Sequence, residues 1–277
     1  MKDQSLHKKL LRITGALLRR YFSHRVGQDC AALTYYLLFS LFPLLIFLNN
    51  LVGIFAVDIQ GFLHELNRVI PTEVLNFFSQ YLSHVSEGSS HSFLTFSLVF
   101  TVYFPMRSAN CLLRSLRKAY GLGPPTNFLR HQFRVLIFTL CLLLTIPLSL
   151  LFFSVGGSVL SFLGQFIYLS RGFIRLWGTL RFVLPPLILF GALAALYALA
   201  REDRQSRHIW PGVCFALLGW MSLSLLFSLY VENIGRYNLI YGSIGTIIVL
   251  LLWLYLTAAM FIMGAEFNAI LEDLQSS

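Results

Sequence analysis

The uncharged run from Tyr241 to Ala265, YGSIGTIIVLLLWLYLTAAMFIMGA, constrains the fold more than any other feature, and it ends on the carboxylate of Glu266. About twenty apolar residues in a helix match the roughly 30 Å hydrocarbon core of a bilayer. In that solvent a lone carboxylate needs a partner from another part of the chain, because an unpaired charge is costly to bury there. The run is one of six. Spans are expected at roughly 31–56, 92–113, 134–159, 180–200, 209–231 and 243–267.

Composition agrees. Hydrophobic residues make up 57% of the 277 residues and charged residues 12%, with mean hydropathy +0.71; soluble domains carry about 25% charge. Short alternating segments of the barrel type are not found. The class is therefore all-α: a polytopic membrane protein with a basic interfacial helix ahead of the spans. The first apolar run begins near Ala31, is too long for a signal h-region and lacks an A-x-A site, so an uncleaved signal anchor is expected.

A net charge of +9 attracts phosphate in soluble proteins. Here the cations border the apolar runs, the pattern of cytoplasmic loops, and nucleic acid is not expected as a partner. Seven Lys/Arg precede the first span, five lie between Arg114 and Arg134, and Arg201, Arg204 and Arg207 follow the fourth span. The opposite side holds Arg68, Arg171, Arg175, Arg181 and Arg236. Both termini are thus predicted to be cytoplasmic. Cys30, Cys111, Cys141 and Cys214 form no C-x-x-C pair and read as small buried hydrophobes toward the reducing side.

Residues 1–30 form the basic preface. Leu6, Leu10, Ile13, Leu17 and Tyr21 recur at helical spacing among Lys8, Lys9, Arg12, Arg19 and Arg20. Two readings stand equal: a helix lying flat on anionic headgroups, or a plain topology determinant. Residues 31–271 form a single six-helix domain and 272–277 a short cytoplasmic tail. Two extracytoplasmic segments, 59–85 hinged at Pro71 and 160–178, read as amphipathic helices that cap the bundle, rest on the leaflet or guide a substrate.

Polar groups at membrane depth are the candidate site. In the first span Asp29, Tyr36 and Ser40 fall within about a 40° arc of one helical face, with Asn50 farther along and Pro43 freeing a backbone carbonyl. The same stripe also suits helix-to-helix hydrogen bonding. Arg107 lies about 20 Å into the second span. Glu266 sits at a corresponding level in the sixth, and Arg107 or Arg114 is its expected partner. No metal, cofactor or catalytic residues are expected. The seven histidines form no H-x-H or H-x-x-x-H pair, the twelve acidic residues are scattered, and neither a G-x-x-x-x-G-K-[ST] loop nor a G-x-S-x-G elbow occurs.

Three blocks carry a resemblance: "DCAALTYYLLFSLFPLLIFL" from Asp29 to Leu48, "YNLIYGSIGTIIVLLLWLYLTAAMFIMGAEFNAIL" from Tyr237 to Leu271, and more weakly "WPGVCFALLGW" from Trp210 to Trp220. With these the chain resembles the YihY/BrkB family of bacterial inner-membrane proteins, once labelled ribonuclease BN-like, over nearly its full length. The resemblance implies six spans, a plasma-membrane location and an envelope-related role, with no agreed reaction; virulence and lipid or lipopolysaccharide traffic are attached to relatives. The leading expectation is an ATP-independent transporter or flippase-like protein for a lipid or other amphipathic envelope molecule. Its partners would be membrane lipids, among them anionic phospholipid or lipopolysaccharide. A non-transporting scaffold for envelope proteins comes second and a membrane-bound hydrolase last; no enzyme is expected.

Overall fold

A computed structural model describes residues 2–55, 91–145, 171–201, 209–233 and 237–276, with side chains over most of them. Seven helices occupy the described residues, and no strand occurs among them. They are α1 (Lys2–Ser23), α2 (Val26–Phe55), α3 (His91–Ala119), α4 (Phe128–Thr145), α5 (Arg171–Arg201), α6 (Trp210–Asn233) and α7 (Tyr237–Ser276). Windows long and apolar enough to cross a membrane are Val26–Ile46, Phe128–Thr145, Trp210–Val231 and Gly245–Gln275, with a shorter apolar stretch at Pro186–Arg201. The chain is an all-α polytopic membrane protein.

Its exterior fits that solvent. On α6, Leu218, Leu225, Leu226 and Leu229 are all more than half exposed. A continuous apolar face of this kind is unusual on a soluble monomer and ordinary against lipid. Cys30 and Cys111 are buried as expected, whereas Cys141 and Cys214 are exposed. An apolar neighbourhood in sequence does not separate the bundle interior from its lipid face, since both are apolar.

The interior is built around α7, which packs against α6, α2, α3 and α1. Leu33 of α2, Leu113 and Leu116 of α3, Tyr197 of α5, Val213 of α6 and Ile262 of α7 meet in one fully buried cluster. A second gathers Phe227 of α6 with Leu250, Trp253 and Leu254 of α7. The α6–α7 crossing is close because glycines face each other. A Cβ added at Gly264 would stand 2.6 Å from the Gly212 carbonyl oxygen, and one at Gly219 would stand 2.9 Å from Met260 Sδ. Apolar burial gives helices no preference for each other over lipid, so such backbone approach supplies the packing energy.

Two corners place polar residues. Between α1 and α2 the chain turns at Arg25, with φ of 53°, and the Arg25 carbonyl accepts from Gln28 N–H (3.0 Å) and Asp29 N–H (3.3 Å) to start α2. At the end of α3, Gly121 takes φ of 65°, and Leu122 N–H bonds the Arg117 carbonyl at 2.8 Å. This is the six-to-one bond of a Schellman cap, where glycine avoids the left-handed penalty. Helices outrun the spans read from hydropathy: α3 passes 113 to Ala119, and α7 passes 267 to Ser276. In both cases polar side chains beyond the apolar run find partners and keep the helix going. Pro43 and Pro105 lie inside α2 and α3, which continue through them. The segment 59–85 lies outside the described residues, as does 160–170; the remainder of the second amphipathic segment belongs to α5.

Candidate functional site

The last turns of α7 carry polar residues on two faces, as helical geometry requires. Glu266 and Asp273, seven apart, face α1. Asn268 and Glu272, four apart, face α5, α6 and the α3–α4 turn.

On the first face Glu266 is 1% exposed. Its carboxylate accepts from Arg20 Nη1 at 3.1 Å and from His24 Nδ1 at 2.5 Å. Arg20 reaches further, to Asp273 at 2.6 Å and the Ala119 carbonyl at 3.3 Å. Beside it Tyr21 and Tyr255 join through their hydroxyls at 3.0 Å. The turn at Arg25 makes this possible, because it folds the last turn of α1 back across α7. Lys118 of α3 completes the corner by bonding the His24 carbonyl and pairing with Asp29 at 3.3 Å.

On the second face Asn268 is fully buried. Its Nδ2 donates to Tyr120 Oη (3.1 Å) and the Ile209 carbonyl (2.9 Å), and its Oδ1 accepts from Gly212 N–H (2.6 Å). The first turn of a helix leaves its N–H groups without intrahelical partners, so a side chain of α7 caps α6. Arg201 pairs with Glu272 and stacks 4.8 Å from the Tyr120 ring. Burial pushes the Tyr120 phenol above its ordinary range, which keeps it neutral. Arg117 bonds the carbonyls of Gly123 (2.9 Å) and Ala200 (3.2 Å), placing a cation at the negative end of α5.

The residues singled out from sequence therefore do not form one site. Glu266 does have a partner from another helix, but the partners are Arg20 and His24, not Arg107 or Arg114. The expected pairing fails because α1 docks its last turn on α7 and reaches the carboxylate first. Asp29 pairs with Lys118. Tyr36 is half-buried against the main core. Ser40 is buried and donates to the Leu37 carbonyl of its own helix at 2.6 Å, a use that consumes its hydrogen. The side chain of Asn50 lies outside the described residues. Sequence reading missed Arg20, His24, Asn268 and Tyr120. A signal was present for the first two, since Arg20 and His24 are four apart and so share a helical face.

Arg107 stands apart and exposed on α3. Its Nε donates to Tyr103 Oη at 3.3 Å, and its guanidinium lies 5.5 Å from that ring. Among the described residues no carboxylate pairs with it. Aromatic rings continue from there along the α2–α3 seam. Tyr103 meets Phe104 at 5.4 Å, Phe104 meets Phe39 at 5.6 Å, and Phe39 meets Tyr35 at 4.6 Å. Tyr35, Phe39 and Tyr103 are 54%, 41% and 46% exposed. Among the described residues, no three His, Cys, Asp or Glu side chains group so as to hold a metal ion.

Comparison with known proteins agrees with a membrane protein of this architecture. Residues 17–277 match the family model described as Virulence factor BrkB. The chain is 30% identical over 257 residues to the ribonuclease-like protein YfkH of Bacillus subtilis (strain 168), covering 92% of this chain and 94% of that one. It is 28% identical over 271 residues to a UPF0761 membrane protein of Nitrosospira multiformis and 26% identical over 275 residues to one of Albidiferax ferrireducens. These alignments cover 93% and 94% of this chain but only 60% and 62% of those longer relatives. No solved structure matches. The chain belongs to the BrkB family of membrane proteins.

Proposed function

We propose that this protein is an ATP-independent transporter or flippase-like protein of the bacterial inner membrane, handling a lipid or another anionic amphipathic envelope molecule along the α2–α3 seam. In this reading the helices α2 to α7 give six crossings, with both termini in the cytoplasm and the basic helix ends facing it.

The supporting observation is the exposed guanidinium of Arg107, twelve residues before the end of α3 and hence about 18 Å from it along the axis. A cation at the centre of a membrane helix costs about 2.5–3.5 kcal/mol on insertion scales. A cation–π contact with one tyrosine returns about 0.5–2 kcal/mol. The balance calls for water or an anionic group beside Arg107, and the neighbouring exposed rings suit acyl chains. Arg107 would hold the headgroup while Tyr35, Phe39 and Tyr103 line the path of the tails.

The test is transbilayer movement of a fluorescent phospholipid in vesicles carrying the purified protein. Movement above that of protein-free vesicles supports the reading, and equal rates refute it. The internal consumption of Ser40, Asn268 and Glu266 favours a second reading, a non-transporting scaffold, which predicts equal rates together with stably co-purifying envelope proteins. The ribonuclease-like description belongs to the Bacillus relative, and we assign no hydrolytic role here.

A further inference from the structure

Among the described side chains of α1, residues 11–23, the hydrogen bonds to the bundle come from its last turn. Arg20, Tyr21 and His24 make the bonds to α7, and none of residues 11–23 is buried. A helix this exposed is marginal in water, because most helical stability in proteins comes from packing an amphipathic face. Its outward face is nevertheless apolar. Leu11, Leu18 and Phe22 are 61%, 63% and 69% exposed, and they fall within about a 40° arc at 100° per residue. Arg12 and Arg19, both exposed, flank that arc on one side. This is a different face from the Leu6, Leu10, Ile13, Leu17 and Tyr21 series, of which Tyr21 is turned to the bundle.

From this we infer that α1 is an outrigger seated on an anionic phospholipid surface. Leu11, Leu18 and Phe22 enter the boundary between headgroups and acyl chains, Arg12 and Arg19 pair with lipid phosphates, and Glu266 anchors the last turn to the bundle. Charge complementarity selects the occupant. Two arginines beside an apolar stripe match a surface that offers hydrocarbon and negative charge side by side. The leaflet is the one at the Glu266 end of α7. The inference does not depend on the transport reading.

The test uses the full-length protein carrying a photo-reactive benzoylphenylalanine in place of Leu18. It is reconstituted in phosphatidylcholine vesicles with or without a minority of phosphatidylglycerol. Illumination is expected to give lipid adducts, enriched when phosphatidylglycerol is present. Amide exchange across 11–23 in the unmodified protein should slow in the anionic vesicles. Arg12→Gln with Arg19→Gln should abolish the lipid dependence of both readouts. Each arginine is expected to account for roughly a fivefold change in surface partition. Adducts between two copies of the chain would overturn the inference in favour of self-association. Adduct yields and exchange rates that are the same in both vesicles would overturn the anionic surface as the occupant.

Discussion

Glu266 and Arg107 are both charged residues inside long helices, and the molecule treats them in opposite ways. Glu266 is enclosed, with Arg20 of α1 and His24 just past its end fixed on its carboxylate. Arg107 lies open on the seam between α2 and α3, with a phenol for company. Around Glu266 and Asn268 the polar groups join α1, α3, α5, α6 and α7 into one interlocked end. Around Arg107, among the described residues, the guanidinium hydrogen-bonds only Tyr103 of its own helix. A charge that ties elements together is spent on the fold. One left on an open apolar face is available to something outside it.

That contrast orders the expected effects of substitution. Gly264→Val should be the most damaging, because the added carbons meet the Gly212 carbonyl and Ala216, where backbone cannot yield cheaply; loss of the folded species on size exclusion in detergent is expected. Glu266→Ala strips the shared carboxylate from Arg20 and His24, leaving Arg20 with Asp273 and the Ala119 carbonyl. It should cost about 3 kcal/mol, the lower end for breaking a buried pair since Arg20 is partly exposed, read as a fall in the thermal unfolding midpoint. Asn268→Ala uncaps α6 and leaves the Gly212 N–H without its partner, while the Ile209 carbonyl keeps the Val213 N–H, for about 2 kcal/mol. Ser40→Ala removes only a bond to its own helix and should change stability by less than about 1 kcal/mol. Arg107→Gln should be nearly silent in the same melt. A large loss of stability at Arg107 would erase the distinction between the two regions, and a silent Glu266→Ala would do the same from the other side.

How much of this was legible in the sequence follows the same division. The helices were visible because hydrocarbon thickness imposes a length on every apolar run, and the α3–α4 and α5–α6 connections carry their charges openly. The need of Glu266 for a distant partner was also visible, as a matter of desolvation. Which partner was not. Arg20 lies 246 residues away in sequence, and its arrival depends on the left-handed turn at Arg25, a residue type that gives no warning of positive φ. Asn268 was hidden for a related reason, since its partners, the Tyr120 hydroxyl and backbone groups of Ile209 and Gly212 at the start of α6, come together only once the helices have packed. Asp29, Tyr36 and Ser40 were grouped by helical period, yet Asp29 pairs with Lys118 and Ser40 bonds a carbonyl of its own helix. Periodicity reports direction around a helix and says nothing about what stands opposite.

The most direct test of the contrast is lipid movement measured for Arg107→Gln against wild type, at equal folded protein in the same vesicles. The account predicts an unchanged unfolding midpoint together with transbilayer movement reduced about tenfold or more, the equivalent of roughly 1.4 kcal/mol lost from the barrier-lowering interaction. Wild-type rates in the Arg107→Gln protein would contradict it.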